Sequence, residues 1–292
     1  MTRHTLLLIA IFLFFPLYIT AQETFPLPDV PKTLKGVEAR ANYLASHYWD
    51  KIDFTDNALV GSKDISEQGF SNFISIMPYV TEKEAAFDCF ASKLVSNSRI
   101  LQYFMALGVK YLAEPISPVY NEELYILFLQ SIVAQQGILE GDYEDAKFDL
   151  SMAMKNRIGT KAANFAYLKR DGKRSELAKT NGEYILLFFG DPDCDVCSVT
   201  KQAITSNDVL NALIDSETLT VLSVCVEGKT DVWKQTPAPA KWVDACDDKQ
   251  AIYGKLLYDI PGLPVLYLLD KEHNVLMKNV QVSHIVEFFV NK

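Results

Sequence analysis

The chain has 292 residues, 49% of them hydrophobic and 22% charged, a composition of ordinary globular proteins and enough length for two separate cores. A formal net charge of -9 argues against a nucleic-acid partner and against docking on anionic membranes. Five cysteines (Cys89, Cys194, Cys197, Cys225 and Cys246) are too few for a disulfide scaffold in a chain of this size, and the odd count leaves at least one thiol unpaired.

Arg3 and His4 precede an apolar run from Leu6 to Ile19 that closes on Ile19-Thr20-Ala21. That pattern reads as a signal peptide over residues 1–21, cleaved near Ala21. Pro16 interrupts the run, which falls short of the ~20 apolar residues that span a bilayer. No cysteine lies near the cleavage point, so acylation there is excluded. The mature chain is expected to be exported and soluble, periplasmic or secreted, with no integral membrane segment, in a compartment that tolerates disulfides.

Gln22 to Lys35 carries Pro26, Pro28 and Pro31 and reads as an extended lead-in. Val37, Ala41, Leu44 and Tyr48 recur at helical spacing and predict a helix over Gly36 to Trp49. Asp53 to Gly69 reads as a polar loop. Thr81-Glu-Lys-Glu84 has capping-box spacing, and Phe87, Phe90, Ala91, Leu94 and Val95 follow on one helical face, with Cys89 expected in the core. Ile100, Leu101, Phe104, Leu107 and Tyr111 form the next stripe, stopped before Pro115 and Pro118. Leu124, Leu127, Phe128, Ile132 and Val133 form another, and Asp142 is expected to cap a helix reaching Asn156. Residues 22–157 therefore read as an all-α domain whose aromatic and leucine stripes are core.

The pattern changes at Gly159. Phe165 to Lys169 predicts a short strand, Asp171-Gly172 a hairpin turn, and the chain returns through Leu177. Tyr184 to Phe189 is a buried strand ending in a sharp turn at Gly190-Asp191-Pro192. A helix opens at Cys194-Asp-Val-Cys197 and runs through Ile204. Leu219 to Val226 is a second continuous apolar strand, as a parallel sheet covered on both faces requires. Gln235 to Trp242 reads as a loop and Lys249 to Tyr258 as a short helix. Val265–Leu269 and Val275–Val280 make a hairpin, and Ile285, Val286, Phe289 and Val290 give a closing helix its apolar face. The order β-β-α-β-α-β-β-α makes residues 158–292 an α/β domain, a central mixed sheet flanked by helices with an N-terminal hairpin extension.

Two cysteines three apart on the first turn of a helix share a face and can close a tight disulfide ring. The outer thiol sits where unpaired N–H groups and the helix dipole favour a thiolate, the species that attacks disulfides. Half a zinc site would look the same, but no second CxxC or Cys/His pair has ligand spacing, so no metal and no other cofactor is expected. An inert structural disulfide is the other reading of the pair taken alone. By position, Cys194 is the nucleophile and Cys197 the resolving thiol, leaving a Cys194–Cys197 disulfide.

Strand, turn and CxxC helix together resemble the thioredoxin-like superfamily from Gly159 to the end of the chain. Gly159-Thr-Lys-Ala-Ala-Asn-Phe165 is similar to the Gly-x-x-Ala-Pro-Asp-Phe opening of exported thioredoxin-like reductases, with Ala163 where that family has proline. In Tyr258-Asp-Ile-Pro-Gly-Leu-Pro264, the resemblance implies that Pro264 is the cis-proline facing the CxxC and that the Leu263 backbone pairs with a partner's chain. Arg40-Ala-Asn-Tyr-Leu-Ala-Ser-His-Tyr-Trp-Asp50 with Asp53-Phe54 resembles the opening of a helical domain of unknown function. That domain precedes thioredoxin-like domains in exported proteins of the Bacteroides group, and it brings no activity with it.

The resemblance implies an exported thiol–disulfide oxidoreductase of the reductase type. Electrons would pass from a membrane-bound donor through Cys194 and Cys197 to protein disulfides. Two departures stand out. Phe188 occupies the place of the buried acid six residues before the first cysteine, and Gly190-Asp-Pro-Asp with Asp195-Val196 replaces the usual tryptophan-rich flank and intervening proline. The like charge of Asp191, Asp193 and Asp195 opposes the dipole, so a Cys194 thiol less acidic than a thioredoxin nucleophile is expected, which favours a reducing protein. Cys225, near the carboxyl end of the second parallel strand, reads as an accessory third thiol, as a partner of Cys246, or as a buried inert cysteine. The competing functional reading is a non-catalytic binding or assembly protein, in which the helical domain recognises a partner.

Overall fold

The computed structural model describes residues 25–292. The expected signal segment and its cleavage point at Ala21 lie outside the described residues. Six α-helices precede the first strand among the described residues: α1 (Val37–His47), α2 (Gln68–Ile76), α3 (Lys83–Leu94), α4 (Ser98–Gly108), α5 (Glu122–Val133) and α6 (Glu140–Ala153). Their apolar faces meet around Trp49, whose indole stacks on Phe90 at 4.6 Å between ring centres. Phe90 stacks in turn on Phe128 at 5.7 Å, so one aromatic column joins α3, α5 and the end of α1. The stripes read from the sequence are this core.

Four local expectations fail here. Thr81 does not cap α3: its hydroxyl donates to Glu38 and its N–H to Asn42, and Asn42 Oδ1 also receives the Glu82 N–H. A side chain of α1 therefore does the work expected of a local capping box. Asp142 is not a cap either; it is buried in the first turn of α6, accepting a hydrogen bond from Gln102. Cys89 is exposed, because Ala86, Phe87, Phe90, Ala91 and Leu94 fill the buried face of α3. The stretch read as loop holds a 3₁₀ turn at Asn57–Leu59 and a π turn at Lys63–Glu67 that leads into α2, a helix not foreseen.

The sheet comprises β1 (Ala166–Lys169), β2 (Arg174–Glu176), β3 (Tyr184–Gly190), β4 (Leu219–Cys225), β5 (Val243–Cys246), β6 (Val265–Asp270) and β7 (Val275–Lys278), in the order β2-β1-β5-β4-β3-β6-β7. β3 is central, parallel to β4 and antiparallel to β6, and every one of its residues is buried. Side chains alternate between the two faces. Ile185, Leu187 and Phe189 join Phe165, Ile252, Tyr258 and Tyr267 on one face. Tyr184, Leu186 and Phe188 face the other, under α7 (Asp195–Thr205), α8 (Asp208–Asp215) and α11 (Val282–Val290). Between them stand two single-turn helices, α9 (Asp231–Gln235) and α10 (Ala251–Gly254), the latter far shorter than the Lys249–Tyr258 helix expected. β5 and α8 are also additions to the expected order.

The helical layer is tied to the sheet through β7. Lys278, 1% exposed, sends its ammonium to the carbonyls of Ala153 (2.9 Å) and Lys155 (2.8 Å) at the end of α6. The same ammonium pairs with Glu122 at 2.5 Å. Tyr120 donates to the Lys278 carbonyl at 3.1 Å, and Asn156 bridges Leu257 and Ala163.

Candidate redox site

β3 delivers the chain to the carboxyl edge of the sheet, where open α/β sheets carry their sites. Gly190 ends the strand; a Cβ there would collide with the ring of Phe188. Asp191 then turns the chain, its Oδ1 accepting the Asp193 N–H at 2.8 Å in an Asx turn. Cys194 is the N-cap of α7, and its Sγ accepts the Cys197 N–H at 3.1 Å. The two cysteines are joined by a disulfide with their Cα atoms 5.2 Å apart. Cys194 is half-buried and Cys197 fully buried, so only the outer sulfur meets solvent.

The register of β3 with β6 brings in the second element. Phe189 pairs with Val265, so the residue before Val265 lies beside the turn that follows Gly190. That residue is Pro264, and the Leu263–Pro264 bond is cis. The Leu263 carbonyl oxygen lies 3.8 Å from Cys194 Sγ. Two stretches seventy residues apart are thus in contact at one sulfur.

Phe188 lies under Cys197 on the α7 face, with the Lys201 ammonium 5.3 Å from its ring centre and the Trp242 ring 6.2 Å away. Trp242 is therefore packing. So is Trp233, whose indole N–H donates to Asp244 at 2.9 Å while the Arg170 guanidinium lies 4.9 Å over its ring.

Cys225 and Cys246 are register neighbours on parallel strands β4 and β5, and both thiols are free and buried. The Cys225 S–H donates to Asp191 Oδ2 at 3.5 Å, a link between β4 and the redox turn that the sequence did not reveal. Burial, with the Asp191 carboxylate beside it, pushes the Cys225 thiol up to about 12. Burial, with Asp248 nearby, pushes Cys246 up to about 11. At pH 8 the Cys225 thiolate fraction is then on the order of 10⁻⁴. In native, dithiothreitol-reduced protein, iodoacetamide should modify Cys194 and exposed Cys89 within minutes. Cys225 and Cys246 should react only after unfolding. Mass spectrometry of timed digests reads this directly, and early labelling of Cys225 would refute the burial argument.

A family model described as a domain of unknown function (DUF5106) matches residues 15–156. The crystal structure of a thioredoxin-like protein from Bacteroides caccae is 33% identical, covers 92% of this chain and 99% of that one, and superposes with a TM-score of 0.80. The chain belongs to the thioredoxin-like proteins. The C-terminal domain of an uncharacterized protein from Bacteroides fragilis is also 33% identical, over 46% of this chain and 98% of that one, with a TM-score of 0.45. A conserved protein of unknown function from the same species is 27% identical over 45% of this chain and 98% of that one, with a TM-score of 0.44. No curated protein matches the chain.

The flank of this disulfide is acidic. Asp193 and Asp195 are exposed and Asp191 is half-buried. No group of three or more candidate metal ligands occurs among the described residues. No helix among them is long and apolar enough to cross a membrane.

Proposed function

We propose that the chain is an exported thiol–disulfide oxidoreductase that reduces protein disulfides, with Cys194 as nucleophile and Cys197 as resolving thiol. The observation that carries this reading is the placement of Cys194: a half-buried sulfur at a helix N-terminus, receiving an N–H and touching the Leu263 carbonyl beside Pro264. Export follows from the Leu6–Ile19 run, with a periplasmic or secreted mature chain of residues 22–157 and 158–292 as its two domains.

In the reduced protein the Cys194 thiolate attacks one sulfur of a substrate disulfide. A Cys194–substrate bond forms as the substrate S–S bond breaks, and the departing thiolate takes a proton from water. Cys197, deprotonated in turn, attacks Cys194 Sγ. The mixed disulfide breaks, the second substrate thiol leaves, and the Cys194–Cys197 disulfide remains. The substrate has gained two electrons and two protons, and a membrane-bound dithiol donor restores the starting state. With Phe188 in the relay position, the Cys197 proton leaves without help from a carboxylate at that place. This cycle assigns no part to Cys225, whose buried thiol donates to Asp191.

Dithiothreitol-coupled reduction of insulin tests the reading. Wild type should precipitate insulin faster than dithiothreitol alone, and Cys194→Ser should not.

A further inference from the structure

The helical layer reaches the redox site. Beside the disulfide lies an open apolar groove of about 590 Å³. Val196 and Val199 of α7, Pro264 and Val282 line it. Part of its wall is Pro115 and Ile116, from the loop between α4 and α5. Ile116 is 78% exposed, Val199 66% and Val196 61%. Such bare side chains gathered along one groove mark a contact surface rather than scattered surface apolarity. The wall is anchored, because the Gln281 amide donates to the Pro115 carbonyl at 3.5 Å and Tyr120 donates to Lys278.

We propose that Pro115 and Ile116 bring the helical domain into the seat of the polypeptide whose disulfide is reduced, so that this domain selects the substrate. The proposal rests on the redox reading above and adds to it the substrate's chemistry. Two observations define that chemistry. First, the groove lies next to the reacting sulfur: it is lined by Val196, two residues past Cys194, and by Pro264, whose preceding carbonyl is 3.8 Å from Cys194 Sγ. A chain bonded to Cys194 has this groove within reach of its neighbouring residues. Second, exposed Asp193 and Asp195 flank Cys194 on a chain of net charge -9. The complementary occupant is an extended segment with large apolar side chains for the groove and basic side chains for the aspartates, both close to its cysteine. Apolar contact supplies affinity, while the charges favour encounter and reject acidic chains.

The test uses two synthetic peptides, each with one cysteine held as a thionitrobenzoate mixed disulfide. One is flanked by leucine and lysine, the other by serine and glutamate. Hydroxyethyl disulfide is the small reference substrate. Single-turnover rates are measured with the full mature chain after dithiothreitol reduction. Wild type should reduce the leucine–lysine peptide at least tenfold faster than the serine–glutamate peptide. Ile116→Asp should lower the ratio of leucine–lysine peptide to hydroxyethyl disulfide about tenfold, and Ile116→Leu should restore it. Leu139→Asp, 61% exposed and outside the groove, should leave that ratio unchanged. An unchanged ratio in Ile116→Asp, with hydroxyethyl disulfide still reduced, overturns the groove assignment and leaves the redox reading standing. If wild type reduces none of the three, the redox reading itself falls. If Ile116→Asp dissociates a wild-type dimer while the ratio holds, the groove is a self-association surface and the assignment is wrong.

Discussion

Cys194→Ser will reduce insulin no faster than dithiothreitol does alone, while Cys197→Ser will stall as a covalent adduct. The difference follows from exposure. Cys194 is half-buried at the N-terminus of α7, and Cys197 is fully buried one turn deeper against Phe188. An incoming disulfide therefore meets only the outer sulfur. Serine at that place keeps the shape but not the nucleophile, since a hydroxyl is far from ionised at neutral pH. The protein's whole share of the turnover should be lost, since removing a covalent nucleophile alone costs up to the order of 10⁶-fold. In Cys197→Ser the first attack proceeds and the second cannot, so one equivalent of mixed disulfide should accumulate and release on adding dithiothreitol. Non-reducing gels and intact mass spectrometry distinguish the two variants. Equal turnover by wild type and Cys194→Ser would leave a binding or assembly role as the better account.

What the sequence revealed follows from which forces are local. β3 reads as a continuous apolar run because both its faces are covered, and that requirement is written residue by residue. The α/β architecture followed from such runs and the turns between them. β5 did not announce itself: four residues, one of them Asp244, which is held by Arg170 and Trp233. Its strand character comes from pairing with β4, on the far side of α9, and with β1 near the start of the α/β domain. α2 hid behind Gly69, a poor helix residue, which is required because a Cβ there would meet the Phe25 ring at 2.6 Å. α8 carried a readable signal, Asn207 capping the Leu210 N–H. Thr81 and Asp142 look like caps in isolation and are claimed by Asn42 and Gln102 instead.

At the site, the CxxC and the proline are legible as types at a spacing. Their meeting depends on the antiparallel register of β3 and β6, which no local pattern encodes. The hydrogen bond from Cys225 to Asp191 and the approach of Ile116 to Pro264 are consequences of packing between distant segments. The three aspartates illustrate the same limit. Their charge is plain in the sequence. That Asp191 spends its oxygens on the Asp193 N–H and the Cys225 thiol is known only from the folded turn.

Removing the Lys278 ammonium, as in Lys278→Met, should destabilise the protein by about 3–5 kcal/mol, the usual result of breaking a buried ion pair from one side. Lys278 holds three acceptors at once: the Ala153 and Lys155 carbonyls and the Glu122 carboxylate. The first two lie at the C-terminal end of α6, where a cation also complements the helix dipole. Methionine fills similar space but strands all three. The pH dependence provides a sharper check than the size of the loss. Burial raises the Glu122 and Asp259 carboxyls above their ordinary values, and Lys278 is the group that holds both down. Without it those carboxyls rise further in the folded state. A raised folded-state value contributes stability below the unfolded value and loses it as pH climbs through the folded one. The penalty of Lys278→Met should therefore be smaller near pH 4, where the carboxyls take up protons, and grow toward pH 8. Urea unfolding at both pH values measures it. Glu122→Gln/Lys278→Met should recover part of the loss at pH 8, because the double variant removes one of the two buried carboxylates that Lys278 holds down. A penalty independent of pH, or a double variant as unstable as Lys278→Met, would mean that the lost packing of the lysine stem, and not the stranded charge, accounts for the effect.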